Sequence, residues 1–285
     1  MPIVCSVVTY KKMENLAALI PNPTPLIIRT NNFQVETQEN KSISSGKFGR
    51  FGGKYVLETL MSCLSQLEAE FNFVLNDIEF QMELAIALRD YIGRETPLYH
   101  AGRLTKHYKN ENGEGPEIYL KREDLNHVGA HKINNAVAQA MLAKRMGRTS
   151  IVAATGAGQH GVATAAACAK LALECTIIMG TTDMERQSSN VTLMNLLGTK
   201  VKSVDGNFKD ATSEAIREWV GNLETSYYLT GTVVGPHPFE AAGFGLDSGK
   251  HSTTLTTGEV GVYHGAMNYL LRDEGRIVPP HSIGV

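Results

Sequence analysis

The sequence predicts an α/β fold, a parallel sheet with helices on both faces, and three observations predict it. From Lys132 to Thr230 short apolar runs alternate with longer stretches of helical period. Strands and helices alternating at these lengths build parallel sheets. The first of these apolar runs, Ile151-Val152-Ala153-Ala154, opens into a glycine-rich turn that leads straight into an alanine-rich stretch. An apolar content of 42% with 20% charged residues is that of a soluble globular chain, and 285 residues suffice for one large or two ordinary domains.

In order along the chain, Gly46 to Tyr55 is rich in glycine and cations. Helical spacing follows over Glu58 to Leu67 and over Glu79 to Ile92, where Leu84, Leu88 and Tyr91 share a face. Pro97 stops the second helix, because the residue before a proline is driven out of the helical region. His107 to Pro116 is a polar loop and Glu117 to Lys121 a strand. Ile133, Ala136, Val137, Ala140 and Met141 then mark one face of a helix over 133–146, with Gly147 after Lys144 and Arg145 as its stop. The pairs that follow are strand 150–154 with helix 159–173, strand 175–179 with a helix from about Arg186 to Leu197, strand 200–204 with helix 208–222, and strand 226–230.

Charge and cysteines narrow the function. A net charge of −2 favours neither nucleic acid nor an anionic membrane as a partner. The four cysteines, Cys5, Cys63, Cys168 and Cys175, have no metal-ligand spacing, so no metal site is expected. Cys168 and Cys175 read as small core residues of a reducing compartment. Residues 1–45 differ from the rest: an apolar start too short to span a bilayer, then Pro21, Pro23 and Pro25. They read either as a weak transit-like segment, interrupted by Glu14, Glu36 and Glu39, or as a disordered terminus.

Two features carry candidate chemistry. Lys132 stands at the N-terminal end of the 133–146 helix, where the positive end of the helix dipole disfavours a cation by roughly 0.3–1 kcal/mol. Removing that charge resolves the conflict, and a lysine held neutral is a nucleophile toward an aldehyde cofactor. On that ground alone a solvated lysine pointing away from the helix reads better. The second feature is Thr155-Gly156-Ala157-Gly158-Gln159-His160-Gly161, a glycine turn between strand and helix. It gathers backbone N–H groups at a positive helix end, suited to a phosphate or a carboxylate. Its spacing is neither that of a dinucleotide fingerprint nor that of a Walker loop.

Five long motifs resemble one family in the right order: GKFGRFGGKYV (46–56), ETPLYHAGRLT (95–105), KREDLNHVGAHKINNA (121–136), TGAGQHGVATA (155–165) and ERQSSNV (185–191). They are similar to the β subunit of tryptophan synthase. The resemblance runs from about Phe48 to Pro238 and resumes at Glu240. It implies that Lys132 carries pyridoxal 5'-phosphate and removes the substrate α-proton, and that His131 lies near the cofactor phosphate. It implies that Thr155, Gly156, Ala157, Gly158, Gln159 and His160 hold the substrate carboxylate, and that Arg186 belongs to a mobile communication region over about 147–230. The implied reaction is β-replacement, L-serine plus indole giving L-tryptophan. The implied partners are a tryptophan synthase α subunit and a second β chain. The implied location is the plastid stroma in a plant and the cytoplasm otherwise.

The chain departs from the family pattern at three places. Between Pro238 and Phe239 a long family segment is missing, including the loop that holds the cofactor phosphate, and Gly243-Phe244-Gly245 has no apolar strand before it to replace it. The chain stops soon after His281-Ser282-Ile283. The expectation is therefore an N-terminal enzyme region over 46–238 and a truncated second domain over 239–285. The third departure is Ala154, where the family has the glutamate that helps the serine hydroxyl leave. Impaired catalysis follows, or alternatively a non-catalytic subunit that keeps a binding surface.

Overall fold

The computed structural model describes residues 6–10, 47–48, 50–231, 258–263, 266–270, 272–273 and 276–277. The Pro238–Phe239 junction, Gly243–Gly245, His281–Ile283 and most of the 1–45 segment lie outside the described residues.

The chain opens with β1 (Ser6–Tyr10), β2 (Lys47–Phe48), β3 (Phe51–Gly52), α1 (Glu58–Val74) and α2 (Ile78–Ile86), which runs on as a π-helical turn over Ala87–Ile92. Next come β4 (Leu98–His100), α3 (Gly102–His107), β5 (Glu117–Lys121), α4 (Lys132–Arg145), β6 (Ser150–Thr155), α5 (Gln159–Leu171) and β7 (Glu174–Gly180). Then follow α6 (Thr181–Arg186), α7 (Ser188–Leu196), β8 (Lys200–Val204), α8 (Phe208–Val220) and β9 (Ser226–Tyr228). The last strands described are β10 (Glu259–Tyr263), β11 (Ala266–Leu270), β12 (Arg272–Asp273) and β13 (Arg276–Ile277).

The central sheet is parallel, in the order β8-β7-β6-β9. Alternation along β6 sorts its side chains to two faces, as the strand period requires. Ile151 and Ala153 join Val137, Ala163, Ile177 and Met194 in the larger core, under α4, α5 and α7. Val152 and Ala154 join Ile178, Ala211 and Ala215 in a second cluster under α8. Both faces of the strand are buried, which is why its sequence is a continuous apolar run rather than an alternating one. The α/β expectation holds.

Helix ends follow local rules. Gly147 takes φ +74 after α4, and the Arg148 N–H donates to the Ala143 carbonyl at 3.0 Å, the 6→1 bond of a left-handed helix stop. The 159–173 expectation was two residues too long. Ala172 itself turns left-handed (φ 56), and the Leu173 N–H closes onto the Cys168 carbonyl at 3.0 Å. The helix expected from about Arg186 to Leu197 is α7, and a separate short helix, α6, begins at Thr181 directly after β7, with Gln187 (φ −117, ψ 35) between the two. Helix α8 opens on a reciprocal cap: the Lys209 N–H donates to Asn207 Oδ1 and the Asn207 N–H to Asp210 Oδ2, each at 2.9 Å.

Three antiparallel sheets complete the description. Strands β1, β5 and β4 form one, β10, β11, β3 and β2 the second, and β12 and β13 the third. The second ties the C-terminal hairpin to the glycine-rich segment through Met267 and Gly52. Val262 on that hairpin remains 41% exposed.

Candidate active site

Lys132 is the first residue of α4, preceded by the short 3-10 turns Glu123–Leu125 and His127–Gly129. The turns are fixed by one carboxylate. Glu123 Oε2 accepts from Arg94 at 2.8 Å, from Asn126 Nδ2 at 2.8 Å and from Asn134 Nδ2 at 3.3 Å, while Oε1 accepts from the Thr96 hydroxyl at 2.5 Å. Burial works to raise this carboxyl, but the hydroxyl, amide and guanidinium donors outweigh it and hold it below the usual carboxylate range. Asn134 also donates to the His131 carbonyl at 2.8 Å. The network thus spans Arg94 to Asn134 and fixes the backbone on either side of Lys132.

The lysine itself is partly buried, and burial pushes its amine below the ordinary lysine range. No acidic side chain occupies the first turn of α4. A burial-destabilised ammonium at a positive helix end is the environment that favours the neutral, nucleophilic amine.

The glycine loop joins β6 to α5. Thr155 is buried, and its Oγ1 accepts from the Gly161 N–H at 3.2 Å. Gly156 lies against Phe208 at the start of α8, Ala157 is exposed and Gly158 is buried. Gly158 is the N-cap of α5 in the left-handed region (φ 89), and no side chain caps the helix there. With the Gly161 N–H taken by Thr155, the first N–H groups left for an anion are those of Gln159 and His160. Gln159 is half-buried and His160 buried.

His160 links the loop to the lysine. Its Nε2 meets the Leu229 carbonyl at 3.2 Å, which makes Nε2 the protonated nitrogen and leaves Nδ1 as an acceptor. Nδ1 is buried and has no hydrogen-bond partner among the described residues. Burial, joined by the charge on Lys132, pushes the imidazole down to about 4 against the hydrogen bond it donates to the Leu229 carbonyl. The ring is therefore neutral at pH 7. Leu229 is held in turn from α4. Gln139 Nε2 donates to the Thr230 carbonyl at 2.8 Å and its Oε1 accepts the Thr230 N–H at 3.1 Å, while Asn135 Nδ2 donates to the same carbonyl at 2.8 Å.

Lys132 and His160 are thus brought near each other, with Gly156 to Gln159 forming the turn that leads to His160. His131 is the N-cap of α4, its side chain half-buried. Arg186 ends α6 and is exposed. The Glu123 network and the Gln139–Thr230 clamp carry no sequence signal, because each joins residues far apart through ordinary polar side chains. Ala154 is 5% exposed and packs with the α8 cluster.

A parallel sheet flanked on both faces, a partly buried lysine opening one helix and a glycine loop opening the next are the features of an α/β protein of the kind that binds an aldehyde cofactor. Residues 90–245 match the family described as pyridoxal-phosphate dependent enzyme, and the chain belongs to that family. Pyridoxal phosphate is the family's cofactor. Among solved structures the chain is similar to Escherichia coli diaminopropionate ammonia lyase in apo form, with 20% sequence identity and a TM-score of 0.40. The match covers 51% of this chain and 44% of that one, so the chain spans less than half of that relative. The described residues fit the aldehyde end of the cofactor: a deprotonation-prone amine, a neutral imidazole beside it, and an orphaned buried acceptor at His160 Nδ1.

Proposed function

We propose that this chain is a tryptophan synthase β-like enzyme, joining L-serine to indole with pyridoxal phosphate, at a reduced rate. The observation that carries it is Lys132, partly buried at the start of α4 with its amine lowered by burial, next to the loop Thr155–His160. The order and length of the sequence motifs supply the substrate class.

Bound pyridoxal phosphate supplies an electron sink for the negative charge that develops at the substrate α-carbon. The chain does the rest. Lys132 Nζ would hold the cofactor through its aldehyde, and as a free amine it would take the proton from the substrate α-carbon. The loop N–H groups from Gly156 to His160 hold the carboxylate and so orient that carbon–hydrogen bond. Neutral His160 adds no positive charge beside Lys132, and Gln139 and Asn135 fix the strand end that His160 leans on. Ala154 offers no proton to the departing hydroxyl. One missing acid–base group costs about 10²–10⁴-fold in rate.

The family's second β chain and α subunit, the two-domain division at about residue 238 and a plastid or cytoplasmic setting are proposed on the same motifs. A second reading, a non-catalytic subunit, is favoured by Ala154, whose side chain is packed away in an apolar cluster.

The test is tryptophan formation from L-serine and indole at saturating cofactor, with the full chain and with Lys132→Ala. Slow formation abolished by Lys132→Ala is expected. No product, or product unaffected by the substitution, removes the enzymatic proposal.

A further inference from the structure

The glycine loop is gripped from outside by a residue that has no place in the chemistry above. Asn190 Nδ2 donates to the Ala157 carbonyl at 2.8 Å. Asn190 also packs directly on Gly158: a Cβ added there would sit 2.5 Å from Asn190 Cβ. One turn later on α7, Met194 is fully buried, and its Sδ lies 2.5 Å from where a Cβ on Gly161 would stand. Residues four apart share a helix face. One face of α7 therefore covers both Gly158 and Gly161, with Met194 anchored in the core and Asn190 held in register above the loop.

The consequence follows from peptide geometry. A trans peptide is planar, with its N–H opposed to its C=O. Holding the Ala157 carbonyl toward α7 turns the Gly158 N–H away from α7. A flipped peptide would instead present a carbonyl dipole to an incoming anion. The left-handed φ of Gly158 (89) leaves this peptide with little intrinsic preference, because glycine populates both signs of φ.

We infer that Asn190 is a positioning residue for the loop: it fixes the Ala157–Gly158 peptide so that the loop offers N–H rather than C=O to a carboxylate. This rests on the reading of Thr155–His160 as the carboxylate loop. The effect of Asn190 reaches the carboxylate through one peptide plane.

The experiment uses the full-length chain without cofactor, labelled with ¹⁵N, and acetate as the probe. The amide resonances of Gly158, Gln159 and His160 are followed through an acetate titration for the parent, Asn190→Ala and Asn190→Leu. Leucine has nearly the shape of asparagine, so it keeps the packing on Gly158 and removes only the donor. Urea unfolding of each variant establishes that the fold is intact. The parent is expected to show saturable shifts, and both variants to bind acetate about 10–100-fold more weakly, the loss of one charge-assisted hydrogen bond. If the parent shows no saturable response, the carboxylate-loop reading fails. If the parent responds and Asn190→Leu responds equally, the loop stands and the role given to Asn190 is overturned, leaving it a packing residue.

Discussion

His160 Nε2 lies 3.2 Å from the Leu229 carbonyl oxygen, across a separation of 69 residues, and this contact closes the end of β9 onto the start of α5. The ring is buried, and its other nitrogen has no partner among the described residues. Protonating it would bury a cation near Lys132.

Stability should therefore depend on pH through His160. Burial holds its folded value down at about 4, against about 6.5 for an unfolded chain. Between these values the unfolded state binds more protons, so stability rises with pH and is lost as pH falls from 6.5 toward 4. Between pH 7 and pH 5 the loss should be roughly 2 kcal/mol. Urea unfolding at both pH values measures it, and His160→Gln should flatten the dependence. An equal pH dependence in the variant would show that the titrating group lies elsewhere.

Ala154→Glu restores the residue type of the resembling family, and the fold opposes it. The position packs with Val152, Ile178, Ala211 and Ala215 in the cluster under α8. A carboxyl there is both oversized and without a partner, at a cost of about 2–4 kcal/mol. The expected result is a lower urea midpoint and no gain in tryptophan formation. Family-like turnover with parental stability would mean that the strand end re-aims its side chain toward the substrate.

Much of the sheet was legible because its strands are continuous apolar runs between strong stops. The 200–204 strand coincides with β8, and the Gly147 stop appears as a left-handed residue where it was expected. Boundaries failed where a non-glycine residue did a glycine's work, as at Ala172, and the six-residue α6 was too short to show a period of its own. At the site, Lys132 and the Thr155–His160 loop were legible from residue type and local pattern. The grip of Asn190 on Ala157 was not, since its partner lies 33 residues away and asparagine in a helix is otherwise unremarked. The direction in which Ala154 points was likewise invisible, because both faces of β6 are buried and period 2 leaves no polar mark on it.

The central claim is that Lys132 bonds the cofactor, and chemical trapping tests it most directly. The full-length chain is incubated with pyridoxal phosphate near neutral pH, reduced with borohydride, digested and read by mass spectrometry. Burial lowers the Lys132 amine, which favours its neutral, nucleophilic form. The prediction is a pyridoxyl group concentrated on Lys132 and lost in Lys132→Arg. Label spread evenly over exposed lysines, with Lys132 unmodified, would contradict it.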